Sequence, residues 1–222
     1  MGLLRSTLLG RAGFLHGLPE RGTPDAELLA ALGVDRITQV VQVHGARVVH
    51  AHEAAGQEAD AIVAGTRSSP VAVGVRVADC VPVLLADEAS GAVAAIHAGW
   101  RGVAAGVVRA AGAELQGGSL LAAIGPCIGA CCFEVGQDVA AEIARASHGA
   151  EVVRVRAGDK AFVDLRAAVR AQLRALGVDD ARIEDVPGCT RHEPRFHSYR
   201  RDGNASGRML AAIAGRSPAS TR

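Results

Sequence analysis

Between Ile37 and Ile96 the chain is cut into short apolar pieces, and no other feature restricts its fold so strongly. Ile37–Val43, Arg47–His50, Ala61–Ala64, Val71–Val77, Val81–Ala86 and Ala92–Ile96 are rich in Val, Ile and Ala and are separated by Gly, Pro or Asp. That is the pattern of successive β-strands. Val71, Val73, Val75 and Val77 alternate with smaller or polar residues, the two-residue period of a half-buried strand. Val81–Leu85 and Ala92–Ile96 are continuously apolar, as a strand covered on both faces requires. Helical spacing takes over later in the chain. Gly102–Leu115 and Gln137–Ser147 read as helices, and Asp164–Leu176 is the clearest. There Leu165, Val169, Leu173 and Leu176 share a face, Asp164 caps the start and Gly177 the end. Ser206–Ala214 reads as a short final helix, residues 215–222 as a frayed tail, and Met1–Leu9 as a surface turn and first strand. The expected fold class is α/β: a single domain, residues 1–222, with mixed β-sheet layers flanked by helices.

A chain of 222 residues has ample length for a packed core. Its 49% apolar and 21% charged residues exclude a disordered protein. A net charge of +1 gives no electrostatic reason to expect a nucleic-acid or membrane partner. No apolar run reaches the roughly 18 residues of a membrane-spanning helix. Arg11 ends the N-terminal apolar run before a secretory signal can form, so a cytoplasmic location is expected. Five cysteines, an odd number, fit reduced thiols in the cytosol, some buried and one or more available to a metal.

Three local signatures carry candidate chemistry. Gln42-Val43-His44-Gly45 places a His then a Gly where a strand ends. Ala78-Asp79-Cys80-Val81-Pro82 is a polar break between two apolar strands, and His97-Ala98-Gly99-Trp100-Arg101-Gly102 runs from a strand into a Gly-flanked turn ahead of a helix. Two imidazoles and one thiolate make a good ligand set for Zn²⁺, and three protein ligands leave a fourth position for water or substrate. Asp79, beside the thiol, is a candidate for supporting the ligands or carrying a proton. On residue chemistry alone each histidine, and a lone buried cysteine, fits a structural role as well.

The chain resembles the YfiH family, the laccase-domain proteins also called multicopper polyphenol oxidoreductases. The resemblance runs from about Gly13 to Arg208. It rests on Gln42–Gly45, Asp60-Ala61-Ile62-Val63, Ala78–Asp87, Ala95–Gly102, Gly125-Pro126-Cys127-Ile128-Gly129, Phe133-Glu134-Val135-Gly136, Phe162-Val163-Asp164-Leu165, Cys189-Thr190 and Ser198-Tyr199-Arg200-Arg201-Asp202-Gly203. It implies a YfiH-like sandwich, with metal ligands at His44, Cys80 and His97. Members are associated with purine nucleoside phosphorylase and adenosine deaminase activities. They carry a longer Gly-, Ser- and Asn-rich stretch before the first ligand than this chain, where His16-Gly17-Leu18 is followed closely by a helix at Ala26–Leu32.

The expected function is therefore a zinc-dependent purine nucleoside enzyme, catalysing phosphorolysis of adenosine, inosine or methylthioadenosine, deamination of adenosine, or both. Its partners would be purine nucleosides and phosphate, in a monomer or a homodimer. Asp79, Cys80 and Arg101 are the catalytic candidates; Gln42, Trp100, Arg101, Cys127 and Arg200 are the substrate-binding ones. Arg101 suits either a phosphate clamp at a helix start or a carboxylate partner that fixes the turn. Trp100 suits a purine stack or core filling, and Arg200 an anion site or a solvated turn. Cys131 and Cys132 read as packing residues rather than a redox pair, because neighbouring cysteines rarely reach disulfide geometry. His50, His52, His148 and His192 read as surface or loop residues, and His197 is not counted as a ligand. A copper-dependent polyphenol oxidase is the alternative; only two of eight histidines fall in the signatures, and Met1 and Met209 lie far from them. A metal-stabilised binding protein and a hydrolase of cell-wall precursor quality control are minor alternatives.

Overall fold

In a computed structural model, the structure describes residues 2–65, 71–115, 118–155 and 158–216. Its centre is a six-stranded mixed sheet in the order Ile183–Asp185, Leu120–Ile124, Val81–Asp87, Val93–Ala98, Ala61–Ala64, Val48–His50. Val81–Asp87 runs antiparallel to both its neighbours, and every residue of it and of Val93–Ala98 is buried, as the apolar runs Val81–Ala86 and Val93–Ile96 require. One face of this sheet, through Val81, Val83, Leu85, Ala94 and Ile96, packs on Val103, Val107, Val108, Ala111, Val169 and Leu173 of the helices. The opposite face, through Ile62, Leu84, Ala86, Val93 and Ala95, packs on Val73, Val75, Ala211 and Ile213 of a second sheet.

That second sheet has five strands, in the order Leu3–Leu4, His16–Pro19, Met209–Ala214, Ala72–Val77, Ile37–Thr38. Helix Asp25–Leu32 covers its outer face, with Leu28 and Leu32 against Ala72, Leu210 and Ala212. The layers are thus helix, sheet, sheet, helices. A small antiparallel sheet of Glu134–Gly136, Lys160–Val163 and Val153–Val155 stands beside helix Gln137–Arg145. Helix Leu165–Ala175 begins as its sequence indicates: the Asp164 carboxylate accepts from the Ala167 N–H at 2.9 Å, and Gly177 follows at φ +84°. Among the described residues no helix is long and apolar enough to cross a membrane.

Four expectations are corrected. Residues 209–214 form an interior strand, not a helix: antiparallel pairing with both His16–Pro19 and Ala72–Val77 outweighs the helical propensity of its alanines. The stretch 102–115 forms two helices, Trp100–Ala104 and Val107–Glu114, because Gly106 turns left-handed at φ +81° between them. Ile37–Val43 pairs in the sheet only at Ile37–Thr38, since the backbone beyond bends to present His44. The N-terminus holds a short helix, Thr7–Arg11, capped by the Ser6 hydroxyl. Of the expected tail, Gly215 and Arg216 donate to the Val71 and Gly91 carbonyls at 3.1 Å, and the rest lies outside the described residues.

Candidate metal centre and its cleft

The chain crosses from the five-stranded to the six-stranded sheet at Ala78-Asp79-Cys80, immediately after strand Ala72–Val77 and before Val81–Asp87. Cys80 therefore stands at the end of the sandwich. His97 comes from the neighbouring strand, where it lies opposite Pro82, and is 3% exposed. His44 lies in a bend rather than at a strand end, at φ +62°, and Asp79 has φ +86°. Two of the three described non-glycine residues with positive φ thus sit at this one place, a conformation that persists only where surrounding contacts hold it.

The contacts that hold the His44 bend come from Asp60, wholly buried just before strand Ala61–Ala64. Its carboxylate accepts from the backbone N–H of His44 at 2.9 Å and of Gly45 at 2.6 Å, and it meets His97 Nδ1 at 2.7 Å. Burial acts against its ionisation, but the bonds from His97 and the two amides prevail and hold its pKa below the usual value. With Nδ1 occupied, the His97 ring is oriented with its other nitrogen free to ligate. The candidate ligand atoms of His44, Cys80 and His97 all lie within 4.8 Å of one another. Their donor set of two nitrogens and one sulfur suits a borderline-soft cation with one position left open. Burial opposes ionisation of Cys80, yet hydrogen bonding from the His44 and His97 rings brings the thiol down to about 7. Burial likewise disfavours charge on His97, yet Asp60 and Cys80 hold its pKa up to about 9. Gly99 closes the group: a Cβ there would stand 3.0 Å from Cys80 Sγ and 3.2 Å from His44 Cδ2.

The three side chains open into a cleft of about 620 Å³, lined also by Gln42, Arg76, Asp79, Phe133, Tyr199, Arg200 and Arg208. Of the residues singled out from sequence, Gln42, Asp79 and Arg200 are brought to this cleft together with the triad. The Gln42 amide is clasped to the Arg76 backbone, donating at 2.8 Å and accepting at 2.7 Å. Both Asp79 carboxylate oxygens are engaged, by the Thr190 hydroxyl and by the Arg200 N–H, each at 2.6 Å. Arg200 donates to the Glu134 carbonyl at 3.0 Å.

Trp100, Arg101 and Cys127 are not among the residues lining the cleft. Trp100 packs against the helical side of the core. The exposed Arg101 guanidinium lies 4.4 Å from its ring, and no carboxylate among the described residues pairs with it. Cys127 is wholly buried, its thiol pushed up to about 11 by that burial, with Arg166 donating to the sulfur at 3.6 Å. Reasoning from sequence missed Asp60, Arg76, Phe133, Tyr199 and Arg208. Asp60, Phe133 and Tyr199 stand in the blocks quoted above, but only folding brings them to the site.

The profile of a family described as multi-copper polyphenol oxidoreductase laccase matches residues 24–216. The chain belongs to this family. Its relatives include an adenosine deaminase, RL5, from an unknown prokaryotic organism, 41% identical over 85% of this chain and 80% of that one. A purine nucleoside phosphorylase of Deinococcus radiodurans is 40% identical over 85% of this chain and 74% of that one. Among solved structures, YlmD of Geobacillus stearothermophilus superimposes with a TM-score of 0.85 at 27% identity, covering 97% of each chain. The laccase-family fold, with mixed sheets flanked by helices, is therefore the fold of this chain.

Proposed function

We propose that this chain is a zinc-dependent enzyme of purine nucleosides, with phosphorolysis as its principal reaction and deamination of adenosine as a second. The observation that carries the proposal is the convergence in one cleft of a His–Cys–His triad, three arginines and two aromatic rings. The names of the relatives, phosphorylase and deaminase, support the same substrate class. Zinc fits the donor set better than several coppers, because the two histidines and one thiol of the triad are too few ligands for a multi-copper centre. Bound there by His44, Cys80 and His97, it would supply Lewis acidity toward a substrate oxygen.

The chain's own residues supply the rest. Phe133 and Tyr199 line the cleft, and the exposed Tyr199 ring is the one suited to a flat base, where base–aromatic stacking contributes roughly 1–3 kcal/mol. Arg200 and Arg208 suit the anion; their guanidinium groups lie 5.6 Å from the Phe133 ring and 5.7 Å from the Tyr199 ring. Phosphate oxygen would bond to the sugar C1′ as the bond to the base breaks, the base leaving with the electron pair and taking up a proton. Asp79 anchors the start of helix Tyr199–Asp202 by accepting from the Arg200 N–H, and so keeps Tyr199 and Arg200 at the cleft.

Zinc-loaded protein incubated with adenosine, inosine and methylthioadenosine, with and without phosphate, should release free base only when phosphate is present. A slower phosphate-independent conversion of adenosine to inosine is expected beside it. Arg200→Ala should raise the phosphate requirement roughly 10- to 100-fold, while Arg101→Ala, which removes a side chain stacked on Trp100, should leave it nearly unchanged. No product from any nucleoside would refute the assignment, and equal effects of the two arginine variants would refute the location of the phosphate.

A further inference from the structure

Away from the triad, four potential ligands converge on two small turns. In the first, the Cys132 and Phe133 N–H groups both donate to the Gly129 carbonyl, at 2.9 and 3.0 Å. This tight turn brings the sulfurs of the adjacent Cys131 and Cys132 to one side, 3.6 Å apart. In the second, the Glu193 N–H donates to the Cys189 carbonyl at 2.9 Å, a single helical turn that sets Cys189 and His192, three residues apart, on one face. Across the gap, Cys131 Sγ lies 3.8 Å from Cys189 Sγ and 3.6 Å from His192 Nδ1. All four ligand atoms lie within 4.8 Å of one another.

We infer that Cys131, Cys132, Cys189 and His192 form a second metal site, a closed Cys₃His zinc centre. Tetrahedral zinc, with Zn–S near 2.3 Å and Zn–N near 2.0–2.1 Å, spaces its ligand atoms about 3.5–3.8 Å apart, and the three separations just given fall in that interval. Two of the sulfurs have donors suited to a thiolate: the Gly129 N–H donates to Cys189 Sγ at 3.3 Å, and the Arg191 guanidinium donates to Cys132 Sγ at 3.8 Å. Gly129 itself has room for little else, since a Cβ there would stand 3.2 Å from Cys131 Sγ and 3.3 Å from Cys189 Sγ. A disulfide would use two of the sulfurs and leave His192 and the third thiol without a purpose, whereas one cation engages all four.

Four protein ligands leave no open position, so this zinc is structural. It fastens the 129–133 turn to the 189–193 turn, beside the short parallel backbone β-bridge at residues 127 and 189. Both turns serve the cleft. Phe133 lines it, and Thr190 holds the Asp79 carboxylate.

Metal analysis of the full-length protein tests the site independently of any activity. Wild type should carry two zinc ions per chain and Cys80→Ala one. In the Cys80→Ala background, replacing zinc by cobalt should give the strong thiolate-to-metal absorption of a tetrahedral, sulfur-rich centre, and Cys189→Ser should remove most of it. His192→Asn, at an exposed position, serves if the serine variant does not fold; it should weaken zinc retention against a chelator more than about 100-fold. A Cys80→Ala protein without metal, with its remaining thiols equally reactive whether or not zinc is added, would overturn the inference. So would mass spectrometry finding two of the three cysteines joined as a disulfide in freshly purified protein.

Discussion

Asp60 concentrates the largest share of the site's organisation in one side chain. It binds two backbone amides of the His44 bend and one ring nitrogen of His97, so it sets both a loop and a ligand. Asp60→Asn keeps the shape but turns an N–H₂ toward groups that are themselves donors. That exchange should cost about 1–3 kcal/mol of stability and lower zinc affinity roughly 10- to 100-fold, measured by denaturation and by chelator competition. The pH response follows from the same residues. In metal-free protein His97 titrates near 9 rather than 6.5, so its contribution to stability is complete below pH 6.5 and is lost as pH rises through 9. Zinc needs the neutral ring and the Cys80 thiolate, and that thiol titrates near 7. Zinc affinity should therefore rise between pH 7 and 9, with roughly one to two protons released per ion at pH 7 in calorimetry. A flat affinity across this range would contradict the assigned ionisation states. The three residues of the triad were legible as a candidate set through the family resemblance, and the fold brings their ligand atoms within 4.8 Å of one another, but Asp60 was not legible. Its partners lie 16 and 37 residues along the chain, and a carboxylate at that separation leaves no local pattern.

At the scale of elements, the strands that read most clearly are those buried on both sides. Val81–Asp87 and Val93–Ala98 have no solvent-facing polar side, and up to Ala86 and Ile96 their residues are all apolar. The strand Met209–Ala214 was misread because Met-Leu-Ala-Ala-Ile-Ala suits a helix equally well, and its two partners, His16–Pro19 and Ala72–Val77, lie far away in sequence. Glycines separate local from tertiary demands in the same way. Gly99, between the His97 strand and the following helix, is confined by Cys80 and His44. Gly106, between the two helices, has φ +81° and open space around it. Gly99→Ala should lower zinc occupancy while much of the fold survives. Gly106→Ala should cost about 1 kcal/mol in urea denaturation and leave zinc bound. If both variants lost stability alike and kept their metal, the contact at Gly99 would be irrelevant to the site.

For the whole molecule, the triad matters because its ligands come from both sheets of the sandwich. His44 follows the edge strand Ile37–Thr38, Cys80 lies on the crossing between the sheets, and His97 belongs to the six-stranded sheet. A cation held there would tie the layers together. Free zinc at 100 times its dissociation constant should stabilise each site by about 2.7 kcal/mol, on the order of 5–10 °C in melting temperature for a chain of this size. Chelation should reverse the shift, and a melting temperature indifferent to chelator would mean that neither cluster binds metal in the folded protein. The layered α/β architecture was apparent from the apolar strands, whereas the order of strands was not, because long-range pairing is decided by packing between distant segments. One such pairing bears on how the protein is made. Met209–Ala214 lies inside the five-stranded sheet, hydrogen-bonded to His16–Pro19 on one side and Ala72–Val77 on the other. While the ribosome is still adding the residues between Val77 and Met209, the two parts of that sheet have formed their sequences but lack the strand that joins them. Each presents an unsatisfied strand edge to solvent or to a chaperone. Translation must carry Ala214 beyond the exit tunnel before this sheet can close, so the five-stranded layer is completed late, after every strand of the six-stranded one has been made.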